Sequence, residues 1–264
     1  MDNQIKSVDL IISTYNNPDA LSEILERILK EVDLPNCIHI ADDGSDTRTA
    51  ALIRKLRKAK NVLIKHHWHE NEGFRKCKIL NQALSQSNSD YIIFLDGDCL
   101  PSKNFIIDHI KLAEIGYFVQ GRRCFIAESH VETLIRHESS ITKLIFTGKV
   151  SGLFKAFRFP WPIIQINQKQ RGLIGCNWAA WRKDLLEING FDEEYEGWGI
   201  GEDSDICSRL YNHGIWRKFI YGRAFVYHLN HPVLEKKHVK NSLARLEETI
   251  SRGKIKCTTG LVKE

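Results

Sequence analysis

Short apolar runs alternate with amphipathic segments along the first 120 residues. The apolar runs, each predicted to form a buried strand, are 8–13, 37–41, 62–65, 91–95 and 117–120. The segments between them have helical patterns, and the first is the clearest. There Asn17 and Pro18 are a cap and a first helical residue, and an apolar stripe follows at Leu21, Ile24, Leu25, Ile28 and Leu29. This alternation predicts βαβ units and a mainly parallel, Rossmann-like sheet flanked by helices.

Beyond Gly121 the alternation weakens. We predict helices over 130–146 and 202–212, strands over 176–181, 215–220 and 224–227, and a charged helix after Val233. Gly214 is suited to the left-handed cap of the second helix. The pattern suggests a nucleotide-binding α/β half, residues 1–121, and a half that completes a second site, residues 122–232. A C-terminal charged helix or tail, residues 233–264, completes one continuous fold.

Composition favours a folded, soluble protein. The 264 residues are 42% apolar and 27% charged, no window is apolar enough for a membrane span, and the N-terminus has no signal pattern. The seven cysteines are an odd number without C-x-x-C spacing, so reduced thiols in the cytoplasm are expected.

The charge of +5 is unevenly distributed, because no acidic residue occurs between Glu138 and Asp184. The stretch 143–171 contains Lys143, Lys149, Lys155, Arg158, Lys169 and Arg171, interleaved with Phe146, Phe154, Phe157, Phe159 and Trp161. This composition suits an anionic or lipid-bearing partner at a membrane surface, and equally a solvated basic face over a small apolar core. Nothing in the sequence indicates a nucleic-acid partner.

Polar residues follow three of the predicted strands. They are Thr14-Tyr15-Asn16, Asp42-Asp43 and Asp96-Gly97-Asp98. In an open parallel sheet, ligands bind outside the carboxyl ends of the strands. A carboxylate after the second strand can accept hydrogen bonds from a nucleobase or a ribose, although D-D-G-S also fits an ordinary turn. Asp96 and Asp98 can offer oxygen ligands to Mg²⁺ or Mn²⁺ beside a diphosphate, or form a solvated acidic turn.

The block 197–205 reads G-W-G-I-G-E-D-S-D. Its three glycines permit close approach of a ligand, and its acids open a helix whose N-terminal dipole favours their charged form. A carboxylate held ionised beside a sugar-binding Trp is what a general base for a sugar hydroxyl needs. Helix capping alone accounts for one acid here, but not for the whole block. By contrast, we interpret His66, His67 and His69 as surface or packing residues.

The ordered motifs T-Y-N, D-D-G-S, N-x-G, D-G-D, G-C-N-x-A and G-E-D-x-D resemble family 2 glycosyltransferases of the GT-A fold, over roughly residues 7–230. Phe74 to Asn81, F-R-K-C-K-I-L-N, and the G-W-G-x-G-E-D-x-D block resemble the β1,4-galactosyltransferase and chondroitin-polymerase branch. The patterns of that branch are F-N-R-A-K-L-L-N and W-G-W-G-G-E-D-D-D. The resemblance implies a GT-A fold with a smaller acceptor-side subregion.

The resemblance also implies roles for individual residues. Those expected at the UDP-sugar donor are Thr14, Tyr15, Asn16, Asp42, Asp43, Arg75, Lys78, Asp96 and Gly97. Asp98 and His228 are the implied metal ligands, and their mixed nitrogen and oxygen donors favour Mn²⁺ over Mg²⁺. Asp203 is the implied base, with Trp198, Gly199 and Glu202 at the sugars. Ile200 and Ser204 depart from the branch pattern, so the identities of donor and acceptor stay open.

The resemblance implies inverting transfer of a hexose, with galactose, N-acetylgalactosamine, glucose and N-acetylglucosamine as the candidates. The donor is a UDP-sugar, the acceptor is a glycan or a lipid-linked saccharide, and the product has a β-linkage, as in capsule or lipopolysaccharide synthesis. We expect the enzyme in the cytoplasm or peripherally at the inner membrane face, attached through residues 143–171. A nucleotidyltransferase making a nucleotide sugar, or a non-catalytic glycan-binding relative, is the alternative.

Overall fold

A computed structural model describes residues 5–59, 62–137, 140–152, 157–197, 201–231 and 239–263. The strands are β1 (Val8–Thr14), β2 (Cys37–Asp42), β3 (Leu63–Trp68), β4 (Tyr91–Asp96), β5 (Cys99–Pro101), β6 (Tyr117–Gln120), β7 (Arg123–Ile126), β8 (Val150–Ser151), β9 (Ile163–Asn167), β10 (Asn177–Trp181), β11 (Trp216–Tyr221) and β12 (Val226–Leu229). The α-helices are α1 (Pro18–Ile28), α2 (Thr47–Ala59), α3 (Lys76–Ser85), α4 (Phe105–Leu112), α5 (Val131–Ile135), α6 (Ile141–Phe146), α7 (Arg182–Glu187), α8 (Glu202–Asn212) and α9 (Val239–Ser251).

Eight strands form the central sheet in the order β3-β2-β1-β4-β10-β6-β11-β9. Strands β3, β2, β1 and β4 are parallel, β10 runs antiparallel to β4 and β6, and β11 is again parallel to β6. The register aligns Thr14 with Asp42, and Ser13 with Asp96. The polar residues that follow β1, β2 and β4 therefore meet at one edge of the sheet, as the sequence predicted.

The parallel strands are apolar because helices cover both faces of the sheet. All seven residues of β1 are buried, and its alternate side chains enter two separate apolar clusters. Leu21, Ile24, Leu25 and Ile28 of α1 are fully buried against one face. The helix begins as predicted, with Pro18 in its first turn and the Asn17 side chain accepting a hydrogen bond from the N–H of Ala20.

A second, four-stranded sheet has the order β5-β12-β7-β8. Strand β12 pairs antiparallel with β5 and parallel with β7, and His228 stands opposite Cys99 in this ladder. Because Cys99 directly follows Asp98, the ladder brings β12 to the end of β4. The two- to four-residue strands β5, β7 and β8 were not predicted.

Two other predictions need correction, and one strand was not predicted. Strand β3 continues through His66 and His67 to Trp68. The single helix predicted over 130–146 is wrong: a 3₁₀ turn at Glu128–His130, α5 and α6 replace it, and His137 has a positive φ of 59° between the two helices. The basic stretch contains β9, which pairs antiparallel with β11 at the edge of the central sheet.

The C-terminal part packs onto the rest of the molecule. The charged helix that was predicted after Val233 corresponds to α9, which the structure describes from Val239. Residues 232–238 lie outside the described chain. Leu246 of α9 and Cys257 beyond it are buried. All seven cysteines fall within the described residues, where each is buried and none forms a disulfide. None of the described helices is long and apolar enough to cross a membrane.

Candidate functional site

Asp96 is held at the carboxyl end of β4 by two side chains. The Ser13 hydroxyl donates to its Oδ1 at 2.7 Å, and the Lys76 ammonium lies 2.6 Å from the same oxygen. The next residue, Gly97, packs so closely on β1 that an added Cβ would lie 2.6 Å from the Ser13 carbonyl oxygen. The path of the chain through Asp96 and Gly97 is therefore fixed by β1.

The T-Y-N residues after β1 border the same edge. The Thr14 hydroxyl is buried and has no hydrogen-bond partner within the described chain. The Tyr15 ring is 51% exposed, and its hydroxyl accepts a hydrogen bond from Asn71 at 3.0 Å. Asn16 has a positive φ of 47°, and its side chain accepts a hydrogen bond from the Asp46 N–H at 2.9 Å. The open tyrosine ring and the unpartnered hydroxyl are features suited to a ligand.

Asp42 and Asp43 are engaged with histidines of the β3 segment. Asp42 is fully buried, accepts from the Ser45 N–H at 2.8 Å and lies 2.8 Å from the Nε2 of His66. Asp43 lies 2.6 Å from the Nε2 of His69 and accepts from the Arg75 N–H at 3.0 Å. Burial raises the pKa of Asp43, although His69 and the Arg75 N–H oppose the shift. Both carboxylates thus organise the loops around the strand ends.

The sequence prediction named Arg75 and Lys78 near the donor, but Lys76, which follows Arg75, makes the contact to Asp96. The Arg75 guanidinium binds Glu72 and the carbonyl of Glu70, and Lys78 is exposed. Lys76, at the start of α3, reaches Asp96. Lys76 aligns with the arginine of the F-N-R-A-K-L-L-N pattern, and this alignment could have identified it from the sequence.

Asp203 lies in the first turn of α8, two residues after Gly201, whose φ is +86°. Its Oδ2 accepts a hydrogen bond from the Gly175 N–H at 3.0 Å. Burial and the neighbouring Glu202 raise the pKa of Asp203 to about 7, although Lys76 and the Gly175 N–H act in the opposite direction. A carboxyl group that ionises near neutral pH is suited to proton transfer. Trp198 and Gly199 lie outside the described residues.

A small cleft joins the two carboxylates. Its polar walls include Asp96, Lys76, Asp203 and Gly175, and its apolar floor includes Trp178 and Phe191. Trp178 is fixed by stacking on Phe94, with ring centroids 4.5 Å apart. The cleft therefore places residues from the ends of β4, α3 and α8 around one space.

Asp98 forms a second cluster with two histidines. Its Oδ2 lies 3.4 Å from the Nε2 of His228 and 3.2 Å from the Nε2 of His231. One donor atom from each residue falls within 4.8 Å of the others. The sequence prediction named Asp98 and His228 but missed His231, which follows β12 three residues after His228 and is exposed.

The electrostatics of this cluster suit a metal ion. Burial alone would raise the pKa of Asp98, but His231, His228 and the Cys99 thiol outweigh it and lower that pKa to about 2. Burial lowers the pKa of His228 despite the nearby Asp98, which favours the neutral imidazole that a metal binds. A carboxylate with two imidazoles suits Mn²⁺, Zn²⁺ or Fe²⁺ better than Mg²⁺, which prefers a set of oxygen ligands only.

This architecture is the GT-A fold of glycosyltransferases. The chain belongs to glycosyl transferase family 2, whose model matches residues 9–186, about two thirds of its length. A model described as the N-terminal domain of galactosyltransferase matches residues 162–232, which include Asp203, His228 and His231. The family and fold expected from the sequence are both confirmed.

Two curated relatives are polysaccharide synthases by name. The chondroitin synthase of Escherichia coli is 26% identical over 246 residues, covering 86% of this chain and 35% of that protein. The hyaluronan synthase of Pasteurella multocida is 23% identical over 272 residues, covering 96% of this chain and 28% of that protein. The chain thus spans about a third of the length of these relatives, or less.

Solved structures share the fold at low sequence identity. GalNAc-T7 with UDP, GalNAc and Mn²⁺ has a TM-score of 0.68 at 14% identity, covering 94% of this chain and 48% of that chain. A fragment of TarS from S. aureus, residues 1–349, has a TM-score of 0.65 at 15% identity, covering 94% of this chain and 65% of that chain.

Proposed function

We propose that the protein is an inverting, metal-dependent transferase that moves a hexose from a UDP-α-sugar to a glycan hydroxyl and forms a β-linkage. The observation that carries the proposal is the shared cleft of Asp96 and Asp203. Asp96, on the proposed donor side, lies two residues before Asp98 of the cluster that could hold a metal ion. It shares the cleft with Asp203, whose pKa is about 7.

The donor is proposed to bind along the carboxyl edge of the sheet. The exposed Tyr15 ring and the buried Thr14 hydroxyl are suited to the uridine, together with Asn16, Asp42 and Asp43. Asp96 and Gly97 would face the ribose and diphosphate, with Arg75 and Lys78 nearby. GalNAc-T7, which shares the fold, was solved with UDP, GalNAc and Mn²⁺, and this supports a UDP-sugar donor.

The cluster of Asp98, His228 and His231 fits a divalent cation. The buried Nδ1 of His228 has no hydrogen-bond partner within the described chain, and the Nε2 atoms of both histidines face the Asp98 carboxylate. These three side chains would hold the ion, and the nitrogen donors favour Mn²⁺ over Mg²⁺. When bound, the cation supplies positive charge for the departing diphosphate.

Asp203 is proposed to act as the general base. Its carboxylate takes the proton of the acceptor hydroxyl while the hydroxyl oxygen bonds to the anomeric carbon and the bond to the diphosphate breaks with its electron pair. One displacement inverts that carbon. Glu202 lies beside Asp203 and is proposed to contact a sugar, with Trp198 and Gly199. We therefore propose that residues 122–232 contribute catalysis and acceptor binding and that residues 1–121 bind the nucleotide sugar.

The names of the relatives support a glycan acceptor, because chondroitin synthases and a hyaluronan synthase align over most of this chain. We propose a role in surface polysaccharide synthesis, such as capsule or lipopolysaccharide.

A panel of UDP-galactose, UDP-N-acetylgalactosamine, UDP-glucose and UDP-N-acetylglucosamine tests the reaction, because slow donor hydrolysis needs no acceptor. With Mn²⁺ we expect the 264-residue chain to release UDP from at least one donor, and EDTA to stop the release. In Asp203→Asn, turnover with a matched acceptor should fall by about 10²–10⁴-fold, while calorimetry shows donor binding retained. Release of pyrophosphate from UTP and a hexose 1-phosphate would instead identify a nucleotidyltransferase, and binding of glycan with no turnover would identify a binding protein.

Peripheral membrane association is proposed through residues 143–171. Exposed apolar side chains of this part are Phe146, Phe157, Trp161, Ile163, Ile164 and Ile166. Lys143, Lys149 and Lys169 are exposed beside them, whereas Arg158 and Arg171 pair with Asp108 and Glu247. Exposed aromatic and basic groups together suit an anionic lipid surface at the inner face of the cell membrane.

Co-sedimentation with vesicles tests this surface. We expect binding to vesicles with anionic lipid and weaker binding to zwitterionic ones. Trp161→Ser should weaken it, whereas Val32→Ser, which removes a 94% exposed apolar side chain elsewhere, should not. The membrane proposal would be contradicted if the two variants sedimented equally with the vesicles, or if the parent protein did not sediment with them.

A further inference from the structure

Lys76 is the cationic side chain in the lining of the described cleft, which it shares with both carboxylates of the proposed reaction, Asp96 and Asp203. Its ammonium lies 2.6 Å from Asp96 Oδ1, and its side chain is only 17% exposed. Burial alone would lower the pKa of Lys76, but Asp96, Asp203 and Glu202 outweigh it and raise that pKa above its ordinary value. Lys76 therefore carries a fixed positive charge in the pH range where Asp203 ionises.

The groups that act on Asp203 come from several elements. Glu202, the preceding residue on α8, and Asp96 on β4 are negative and oppose its ionisation. Lys76 on α3 and the Gly175 N–H favour ionisation. The nearby thiols of Cys77 and Cys207 are neutral, because burial raises the pKa of both. Lys76 is thus the side-chain charge of the described cleft that holds Asp203 in its ionised form against two carboxylates.

We infer, on the basis of the proposed function, that Lys76 is a positioning residue: its charge, anchored on the donor-side carboxylate Asp96, brings the ionisation of the base Asp203 down to neutral pH. The contact of Lys76 to Asp96 and the cleft lining that it shares with Asp203 support this role. A lysine that only bridges α3 to β4 would support folding and nothing more. An electrostatic role has a different signature, since removal of the charge changes the pH at which Asp203 loses its proton.

Three variants separate these roles. Lys76→Gln keeps a hydrogen-bond donor for Asp96 without the charge, Lys76→Arg keeps the charge, and Lys76→Met removes both. Lys111→Met is the control for net charge, because Lys111 is exposed on α4 and outside the cleft. The rate of UDP release or transfer is measured from pH 5.5 to 9.5 in each.

We expect Lys76→Gln to move the rising limb of the pH profile upward by about one unit or more, as loss of a close opposite charge does. At pH 6.5 its rate should fall about tenfold more than at pH 9. Lys76→Arg should keep the limb in place, and Lys111→Met should match the parent protein. A loss by the same factor at every pH in Lys76→Gln would overturn the inference.

A second measurement needs no catalysis. The difference in thermal midpoint between the parent protein and Asp203→Asn, followed from pH 5 to 9, reports the pH at which Asp203 ionises. In the Lys76→Gln background this transition should occur at higher pH, and an unchanged transition would overturn the inference. If no UDP-sugar is turned over but the transition moves, the proposed function fails while the electrostatic link between Lys76 and Asp203 stands. If Lys76→Gln does not fold, the same comparison in Lys76→Met decides.

Discussion

The Gly175 N–H and the Asp203 carboxylate are in direct contact, joined by a hydrogen bond of 3.0 Å to Oδ2. The contact is so close that a Cβ on Gly175 would lie 2.1 Å from Asp203 Oδ1. Residue 175 precedes β10, which pairs with β4, whereas Asp203 begins α8. The glycine therefore sets the position of the proposed base relative to the central sheet.

Gly175→Ala should uncouple the base from the sheet. Since the added methyl group cannot share space with the carboxylate, Asp203 must move, and a displacement of about 1 Å at a reacting group costs on the order of 100-fold in rate. Overpacking should lower the free energy of unfolding by about 1–3 kcal/mol. UDP-sugar turnover and urea unfolding measure the two effects, and UDP affinity is the internal control. Turnover near that of the parent protein would show that Asp203 does not act from this position.

The ionisation of Asp203 also affects stability. Its pKa is about 7 in the folded protein and about 3.9 in an unfolded chain, so the folded state binds the proton more tightly. The stabilisation from this proton is complete below about pH 4 and is lost as the pH rises through 7. Asp203→Asn cannot ionise, and its thermal midpoint should therefore rise relative to the parent protein between pH 5 and pH 8.

Asp46→Asn is the matched control for this pH series. Asp46 is paired with the exposed Arg48, which lowers its pKa, so its carboxylate stays ionised from pH 5 to pH 8. The difference between this variant and the parent protein should stay constant over that range. A constant difference for Asp203→Asn as well would mean that Asp203 has an ordinary pKa.

The sequence predicted the elements whose patterns are long enough to identify. Strand β1 and helix α1 were placed within a residue or so, and α8 over its full extent, because buried runs and helical stripes repeat over several residues. The short strands β5 and β7 carry no such repeat. Their pairing with β12 depends on tertiary packing, which no local pattern records.

The site was predicted only as far as the motifs extended. The sequence singled out Asp98, Asp203 and His228, and the structure brings Asp98 to His228 and Asp203 to the cleft with Asp96. His231 and Lys76 were missed, because each contacts a residue that is distant in sequence. His231 reaches Asp98 across the β5-β12 ladder, and Lys76 reaches Asp96 across the edge of the sheet. Their assigned roles stay predictions.

The two histidines at the end of β12 should both contribute to metal affinity. His228→Ala or His231→Ala removes one of three donors that lie within 4.8 Å of one another. Loss of a supporting partner around a metal ligand already costs about 10–100-fold in affinity. Loss of a ligand should cost at least that, which calorimetry with Mn²⁺ measures without any substrate.

A surface control is available for the metal titration. Glu23, Glu26 and His137 also lie close enough together to hold an ion, but the His137 side chain is 67% exposed. His137→Ala should leave Mn²⁺ affinity unchanged if the ion binds at Asp98. An affinity unaffected by His231→Ala would remove His231 from the ligand set and leave Asp98 with His228.

The last acid of the G-E-D-x-D motif, Asp205, supports the fold. Asp205 is buried, accepts hydrogen bonds from Arg209 Nε at 2.8 Å and from the Thr249 hydroxyl at 2.9 Å. Arg209 in turn donates to the carbonyls of Ile188 and Gly190, both at 2.7 Å. One ion pair thereby joins α8, α9 and the loop that leads to Phe191 in the cleft.

Asp205→Ala should therefore destabilise the protein strongly. It leaves the Arg209 guanidinium buried without its carboxylate, and removal of one partner of a buried pair costs about 3–5 kcal/mol. Replacing both partners, as in Asp205→Leu with Arg209→Met, should recover much of that loss, because no buried charge remains unpaired. Urea unfolding of the two variants measures the difference. If the double variant were no more stable than Asp205→Ala, the hydrogen bonds of Arg209 to Ile188 and Gly190, rather than its charge, would hold the loop beside the cleft.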